Sequence, residues 1–293
     1  MSSRPLIRVP QMRAVPAQDA PAGDVARLTD FIDRHHRLLV LTGAGLSTAS
    51  GIPAYRDAQG QWLRRDPILY HDFIASDIVQ RRYWARSFLG WPSICNGKAN
   101  AAHHALARLE QRDKLALLVT QNVDGLHAQA GSQALVEVHG SLWQVGCLGC
   151  HSRFPREAIQ AQLLERNPDW RPEVLEIRPD GDAELDARAY PGFQPVDCPT
   201  CGGVLKPDVV FFGEAVPAER HLAINRALAE CDALVVVGSS LVVMSGYRIV
   251  RQAQQRGLPI AAINNGRTRA DDLLSFKVGG DCVDVLSRLS DIQ

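Results

Sequence analysis

The chain has 293 residues, 46% of them hydrophobic and 22% charged, an ordinary globular composition with room for one large domain and a smaller module. Lys plus Arg and Asp plus Glu both number 32, so the formal net charge is zero and no overall field draws the protein to nucleic acid or an anionic membrane. No apolar run approaches a bilayer span, so neither membrane insertion nor direct nucleic-acid binding is expected.

Residues 1–21 are rich in Pro, Ala and Arg and lack the apolar stretch of a secretory signal. Arg4, Arg8 and Arg13, with only Asp19 against them, give a weak likeness to a transit peptide. A short flexible arm is expected, in a cytoplasmic protein, with the mitochondrial matrix as the alternative. From Asp24 to His35 the apolar residues Val25, Leu28, Phe31 and Ile32 share one helical face. Arg37 to Thr42 is a short apolar run, as a buried parallel strand requires. It ends in Gly43-Ala44-Gly45, where two glycines let the backbone turn and approach a pyrophosphate. The dehydrogenase fingerprint wants a third glycine where this chain has Thr48. Gly51-Ile52-Pro53 then breaks the helix and leaves a loop carrying Tyr55 and Arg56.

Tyr55 to Trp91 reads as a small helical excursion behind a long loop. The alternating pattern then resumes, with a helix over 101–112 and a strand over 114–120 ending in Gln121-Asn122-Val123-Asp124. A strand over 134–139 ends in His139. Further on come a strand over 209–212, a helix over 218–230 and a strand over 233–238 ending in Ser239-Ser240. A helix over 247–256 and a strand over 259–263, ending in Asn264-Asn265-Gly266, follow. Strands alternating with helices imply an α/β fold, an open parallel sheet with helices on both faces. The polar and Gly-rich motifs fall at the carboxyl ends of the strands, the edge where such sheets bind ligands.

Between these elements lie Cys147-x-x-Cys150 and Cys198-x-x-Cys201, each with turn residues that aim two sulfurs at one point. Four thiolates can close a tetrahedral zinc site with no open position, so one structural zinc is expected rather than two disulfides or unrelated thiols. The other three cysteines (Cys95, Cys231, Cys282) are scattered, which suits a reducing compartment. The stretch between the pairs is rich in turn residues and reads as an ordered excursion or a mobile lid.

Taken in order, G-A-G-x-S, S-G-I-P-x-Y-R, Q-N-V-D-G-L-H, V-H-G, the two cysteine pairs, K-P-D-V-V-F-F-G-E and G-S-S-L resemble a sirtuin from about Ala22 to Val285. Tyr55, Arg82-Tyr-Trp-Ala-Arg86, Pro179-Asp-Gly-Asp182 and Ser245-Gly-Tyr-Arg248 resemble the class II branch. The resemblance implies a Rossmann-like domain over 22–60, 99–145 and 205–293, a helical module with a cofactor loop over 61–98, and a zinc module with a class II-type insert over 146–204.

It also implies roles. Gly43, Ala44 and Gly45 would line the pyrophosphate of NAD. Gln121, Asn122 and Asp124 would hold the nicotinamide ribose and carboxamide, with Ile52 beside them, Tyr55 over the ribose and Arg56 orienting it. Gly238, Ser239 and Ser240 would meet phosphate and ribose. Asn264, Asn265 and Gly266 would take the adenosine ribose, and Cys282 would close over adenine. Asn122 and His139 are the catalytic candidates, since an imidazole titrates near neutrality and can accept a ribose hydroxyl proton. An acyl-lysine peptide would lie as an added strand between Val209–Gly213 and Leu241–Met244, touching Val210, Phe211, Phe212, Gly213, Leu241 and Val242.

The implied activity is NAD-dependent protein-lysine deacylation by a monomer, releasing nicotinamide and O-acyl-ADP-ribose. The rival uses of the same framework are protein mono-ADP-ribosylation, a non-catalytic NAD-sensing or zinc-ribbon module, and a dehydrogenase. The last two are disfavoured by the intact His139 and by Thr48. Tyr83-x-x-Arg86 is similar to the Tyr/Arg pair of sirtuin desuccinylases, against which stands the reading of a solvated amphipathic helix.

Overall fold

The computed structural model describes residues 18–52, 67–177 and 182–289. Tyr55, Arg56 and most of the expected arm lie outside the described residues. The chain divides into two compact units.

The larger unit holds the described residues of Pro10–Arg64, Gly97–His139 and Val216–Gln293. Among them a seven-stranded, all-parallel sheet runs in the order β1-β12-β11-β10-β2-β3-β4. Its strands are β1 (Ala22–Gly23), β2 (Leu38–Thr42), β3 (Leu115–Thr120), β4 (Leu135–Glu137), β10 (Ala233–Val237), β11 (Ile260–Ile263) and β12 (Phe276–Val278). The helices are α1 (Val25–Arg34), α4 (Ala101–Gln111), α5 (Leu126–Gln129), α7 (Ala218–Glu230), α8 (Met244–Gln255) and α9 (Cys282–Leu289).

β2, β10 and β11 are apolar and buried at nearly every position, as strands covered on both faces must be. Successive residues feed opposite faces. Leu38, Val40, Val235 and Val237 join Leu28, Leu106 and Val285 in one core, while Leu39, Leu41, Leu234 and Val236 join Ile224, Leu228 and Ile249 in the other. Asp24 caps α1 by accepting from the Arg27 N–H at 2.8 Å. Asn100 makes a capping box with His103 at α4 and also donates to the Leu46 carbonyl at 2.9 Å, tying that helix to the turn after β2.

The smaller unit holds the described residues of Arg65–Asn96 and Gly140–Ala215. It contains α2 (Tyr70–Ala75) and α3 (Asp77–Cys95), then a three-stranded antiparallel sheet, β6-β5-β9, of β5 (Gly140–Cys147), β6 (Arg153–Pro155) and β9 (Leu205–Val209). The described part of the insert forms α6 (Arg156–Arg166) and the hairpin of β7 (Val174–Ile177) with β8 (Ala183–Leu185).

Two expectations are corrected here. The strand expected at 209–212 is β9, which ends at Val209 and pairs antiparallel with β5, so this stretch belongs to the small sheet and not to the parallel one. Gly140 makes that pairing possible. Its φ is +84°, and a Cβ there would sit 1.8 Å from the Asp208 carbonyl oxygen. The helix carrying Tyr83 and Arg86 is not solvated at these positions, which are 4% and 1% exposed. Arg86 instead pairs with Asp182 at 3.3 Å and donates to the Ala183 carbonyl, while the Tyr83 ring packs edge-on against Phe73 and Trp84.

Candidate active site and metal centre

The turn after β2 is built by close approach. Gly45 donates to the Gly238 carbonyl at 2.9 Å and Gly43 to Val237 at 3.0 Å. A Cβ on Gly43 would lie 2.8 Å from that of Ser239, and one on Gly45 would lie 2.9 Å from the Gly238 oxygen. Gly238 itself has φ +62°, with the Leu46 nitrogen 2.6 Å from where its Cβ would be. The ends of β2 and β10 interlock only because three glycines face one another.

Polar side chains just after β3 fasten this turn. Asn122 donates to the Gly43 carbonyl at 3.1 Å and to the Ser47 hydroxyl at 3.0 Å, and Ser47 donates to Asp124 at 2.7 Å. Asp124 also accepts from the Leu126 N–H at 3.0 Å. Burial raises its carboxyl pKa, with the Leu126 and Ser47 hydrogen bonds pulling the other way. Ile52, 4% exposed, follows Ser47 and donates to its carbonyl at 3.4 Å. Gln121 donates to the Thr42 carbonyl at 3.1 Å and to the Ser239 hydroxyl at 2.7 Å. Ser239 in turn accepts from the Leu241 N–H, and Leu241 sits at φ +56°, a conformation a branched residue adopts only when its surroundings impose it. Ser240 accepts from the Arg269 N–H. Asn264 closes its own turn by donating to the Gly266 carbonyl at 3.0 Å, with Asn265 exposed between them. Cys282 is buried, its Sγ 3.9 Å from the Ile263 carbonyl, and burial pushes its thiol up to about 12.

His139 follows β4 and is half-buried. Its Nδ1 lies 2.9 Å from the Gln121 carbonyl, which can only accept, so Nδ1 carries the proton and Nε2 bears the lone pair. Nε2 is 2.6 Å from the Ser245 hydroxyl. Burial lowers the imidazole pKa, the Gln121 hydrogen bond opposes this, and the charge of Arg220 lowers it further. The ring is therefore held neutral with one nitrogen available as a base.

The large unit thus brings Gly43, Ala44, Gly45, Ile52, Gln121, Asn122, Asp124, His139, Gly238, Ser239, Ser240, Leu241, Asn264 and Cys282 to the carboxyl edge of one sheet. The candidates Val210, Phe211, Phe212 and Gly213 lie in the smaller unit. There Lys206 and Glu214 shape the segment they occupy. The Lys206 ammonium bonds the Val209 carbonyl at 2.6 Å and Glu214 at 3.0 Å, and Glu214 accepts from the Phe211 N–H at 2.8 Å. That clamp, Ser47 and Ser245 are site features that spacing alone does not single out.

In the smaller unit the four Sγ atoms of Cys147, Cys150, Cys198 and Cys201 lie within 4.8 Å of one another. Cys147–Cys201 are 3.5 Å and Cys150–Cys198 3.7 Å apart, too far for disulfides. Bonds of ~2.3 Å to a tetrahedral zinc imply sulfur separations of ~3.8 Å, so the set fits the ion. The Gly149 and Cys150 N–H groups point at the Cys147 sulfur, as a thiolate knuckle requires.

A parallel sheet with amide, hydroxyl and carboxyl groups at its carboxyl edge in one unit, and a four-cysteine cluster in the other, define a dinucleotide-binding protein with a zinc-bearing module. The Sir2 family matches residues 43–245, and the chain belongs to that family, the sirtuins. It is 54% identical over 262 residues to an NAD-dependent protein deacetylase of Xanthomonas campestris pv. campestris (strain 8004), covering 89% of each chain. It is 45% identical over 273 residues to the NAD-dependent protein deacylase Sirt4 of Drosophila melanogaster, covering 92% of this chain and 88% of the relative. A solved structure of Sir2 with a p53 peptide and NAD+ superposes with a TM-score of 0.73 at 26% identity, covering 92% of this chain and 98% of the other.

Proposed function

We propose that this protein is an NAD-dependent protein-lysine deacylase that releases nicotinamide and O-acyl-ADP-ribose. The observation that carries the reading is the neutral, Nδ1-anchored imidazole of His139 at the same sheet edge as the Asn122–Ser47–Asp124 network. A pure binding module has no need of an oriented base there.

NAD, when bound, supplies an activated ribose carbon and nicotinamide as leaving group. The chain's own residues then have distinct tasks. Asp124 offers an acceptor, and backbone near Ile52 a donor, to a primary carboxamide. Asn122, Gln121 and Ser239 hold the turn of Gly43–Gly45 in the shape that admits a pyrophosphate. Asn264, Asn265 and Gly266 offer amide and backbone groups to the second ribose. His139 Nε2 accepts the proton of a ribose hydroxyl, and the Gln121 carbonyl keeps the ring in the tautomer that can do so. An amide carbonyl is a poor nucleophile, so orientation must supply much of the rate. Cys147, Cys150, Cys198 and Cys201 would hold a zinc that braces the smaller unit and, with four thiolates leaving no open position, would take no part in the reaction.

The substrates are acyl-lysine peptides, a reading supported by the Sir2 structures with acetylated and propionylated peptides at 24% and 25% identity. The test is incubation with NAD and a panel of acyl-lysine peptides (acetyl, butyryl, succinyl, lipoyl), read by mass spectrometry. Acyl loss with matching O-acyl-ADP-ribose is the expected result. Nicotinamide release without acyl loss would overturn the reading in favour of ADP-ribosyl transfer.

A further inference from the structure

Among the described residues each ring nitrogen of His139 has one hydrogen-bond partner, and both partners are neutral. The Nδ1 end rests on a backbone carbonyl, which fixes the ring but leaves Nε2 as the only basic atom. That atom faces the hydroxyl of Ser245, in the first turn of α8 and 106 residues along the chain. At 2.6 Å, with Nε2 unprotonated, the hydroxyl must be the donor. We propose that Ser245 is a positioning residue of the reaction, its hydroxyl covering Nε2 of His139 until a substrate hydroxyl displaces it. The inference rests on the reading of His139 as the base.

The placement of Ser245 is built into the fold. The next residue, Gly246, has no Cβ, and one there would lie 2.5 Å from the Gln121 side-chain oxygen. Glycine therefore lets the start of α8 close onto Gln121. The same Gln121 holds Nδ1 through its carbonyl and reaches Thr42 and Ser239 through its side chain. One residue thus sets both ends of the imidazole. It anchors one nitrogen directly and seats the helix turn that brings the hydroxyl to the other.

The chemical consequence follows from the direction of the bond. A hydroxyl donating to Nε2 favours the neutral ring, because an imidazolium has no lone pair there to accept it. The charged group acting on the ring is Arg220, from α7, which also disfavours a second positive charge. Ser245 therefore keeps the base unprotonated in the cofactor-free enzyme. A ribose hydroxyl must trade places with it, so the resting contact competes with productive binding.

The test uses the full chain as wild type, Ser245→Ala, Ser245→Thr and His139→Ala. Isotope-edited NMR follows the histidine rings of the cofactor-free protein across pH, with His139→Ala identifying the resonance. The pH dependence of kcat/KM for an acyl-lysine peptide is measured alongside, since it reports groups of the free enzyme. In Ser245→Ala the imidazole should titrate at higher pH, the acid limb of kcat/KM should move up with it, and the apparent KM for NAD should fall about fivefold, the worth of one hydrogen bond. A wild-type profile in Ser245→Thr, which keeps the hydroxyl, adds support. An unmoved imidazole titration and acid limb in Ser245→Ala, whatever the change in rate, would overturn the proposal. Loss of deacylation is a separate outcome. If the wild type shows no acyl transfer while the NMR shift occurs, the deacylase reading fails and the Ser245 contact stands.

Discussion

Lowering the pH from about 8 to about 5 perturbs two buried imidazoles of the large unit together. His103 and His127 are 0% and 1% exposed, with ring centroids 4.8 Å apart. His127 Nε2 lies 2.9 Å from the Thr42 hydroxyl, which itself donates to Thr120 at 2.8 Å, and His103 Nδ1 accepts from the Asn100 N–H at 3.3 Å. Burial lowers the pKa of His103 to about 4 and that of His127 to about 3, each from an ordinary 6.5, and the charge of a neighbouring histidine adds to both shifts. With folded values below the unfolded one, the unfolded chain binds more protons. Stability is therefore fully present above about pH 6.5 and falls as the pH drops toward 4 and then 3. At about pH 5 the unfolded rings are almost fully charged and the folded ones almost neutral, which costs ~2 kcal/mol per ring at ~1.4 kcal/mol per pKa unit.

Tryptophan fluorescence is a poor probe of the large unit, because four of the chain's five tryptophans (Trp84, Trp91, Trp143 and Trp170) belong to the smaller one. Hydrogen exchange of the β2 and β3 amides reads the large unit directly. The wild type should lose ~4 kcal/mol of protection free energy over that pH range, and His127→Gln, which keeps a donor for Thr42, about half as much. Zinc release in acid affects both proteins alike. An equal pH slope in the two would refute the argument.

His139→Ala should retain NAD binding by calorimetry and lose turnover by ~10²–10⁴-fold, the usual worth of a positioned base. Zinc removal by chelation, or Cys198→Ser, should unfold the smaller unit, visible as red-shifted tryptophan emission, and abolish activity; full activity in a metal-free sample would rule out the structural role. Asp182→Ala should destabilise the smaller unit by roughly 3 kcal/mol or more in urea, because it strands the Arg86 guanidinium where water does not reach. A loss within experimental error would show the pair to be dispensable.

The parallel sheet is legible in the sequence for a local reason. β2, β10 and β11 are unbroken apolar runs, each closed by Gly, Ser or Asn, so both their burial and their ends are written in the residues themselves. β9 is not legible, because Leu205–Val209 carries Lys206, Pro207 and Asp208 and takes its strand form from pairing with β5. The two buried arginines among the described residues are hidden for a similar reason. Arg86 finds Asp182 and Arg156 finds the Ser87 carbonyl and the Trp84 and Trp91 rings, partners far along the chain. The site divides the same way. Gly43, Asn122, Asp124, Ser239 and Asn264 end strands and can be read from their position, whereas nothing near Ser245 announces the imidazole it meets.

The cysteine cluster has a consequence for how this chain can vary. Cys150 and Cys198 lie 48 residues apart in sequence, yet their sulfurs are 3.7 Å apart. The polypeptide between them leaves one knuckle and returns to the other, so a single ion fixes both of its anchor points. With the ends pinned, the entropic cost of a longer or shorter excursion grows only logarithmically, ~0.6 kcal/mol per doubling of length. Length is therefore easy to change in this excursion, but its content is not free. Its β6 is an edge strand of the small sheet, and Ile159, Leu163, Leu185 and Phe193 belong to that unit's core. Any replacement must supply those groups and also present a carboxylate where Asp182 stands, to answer Arg86.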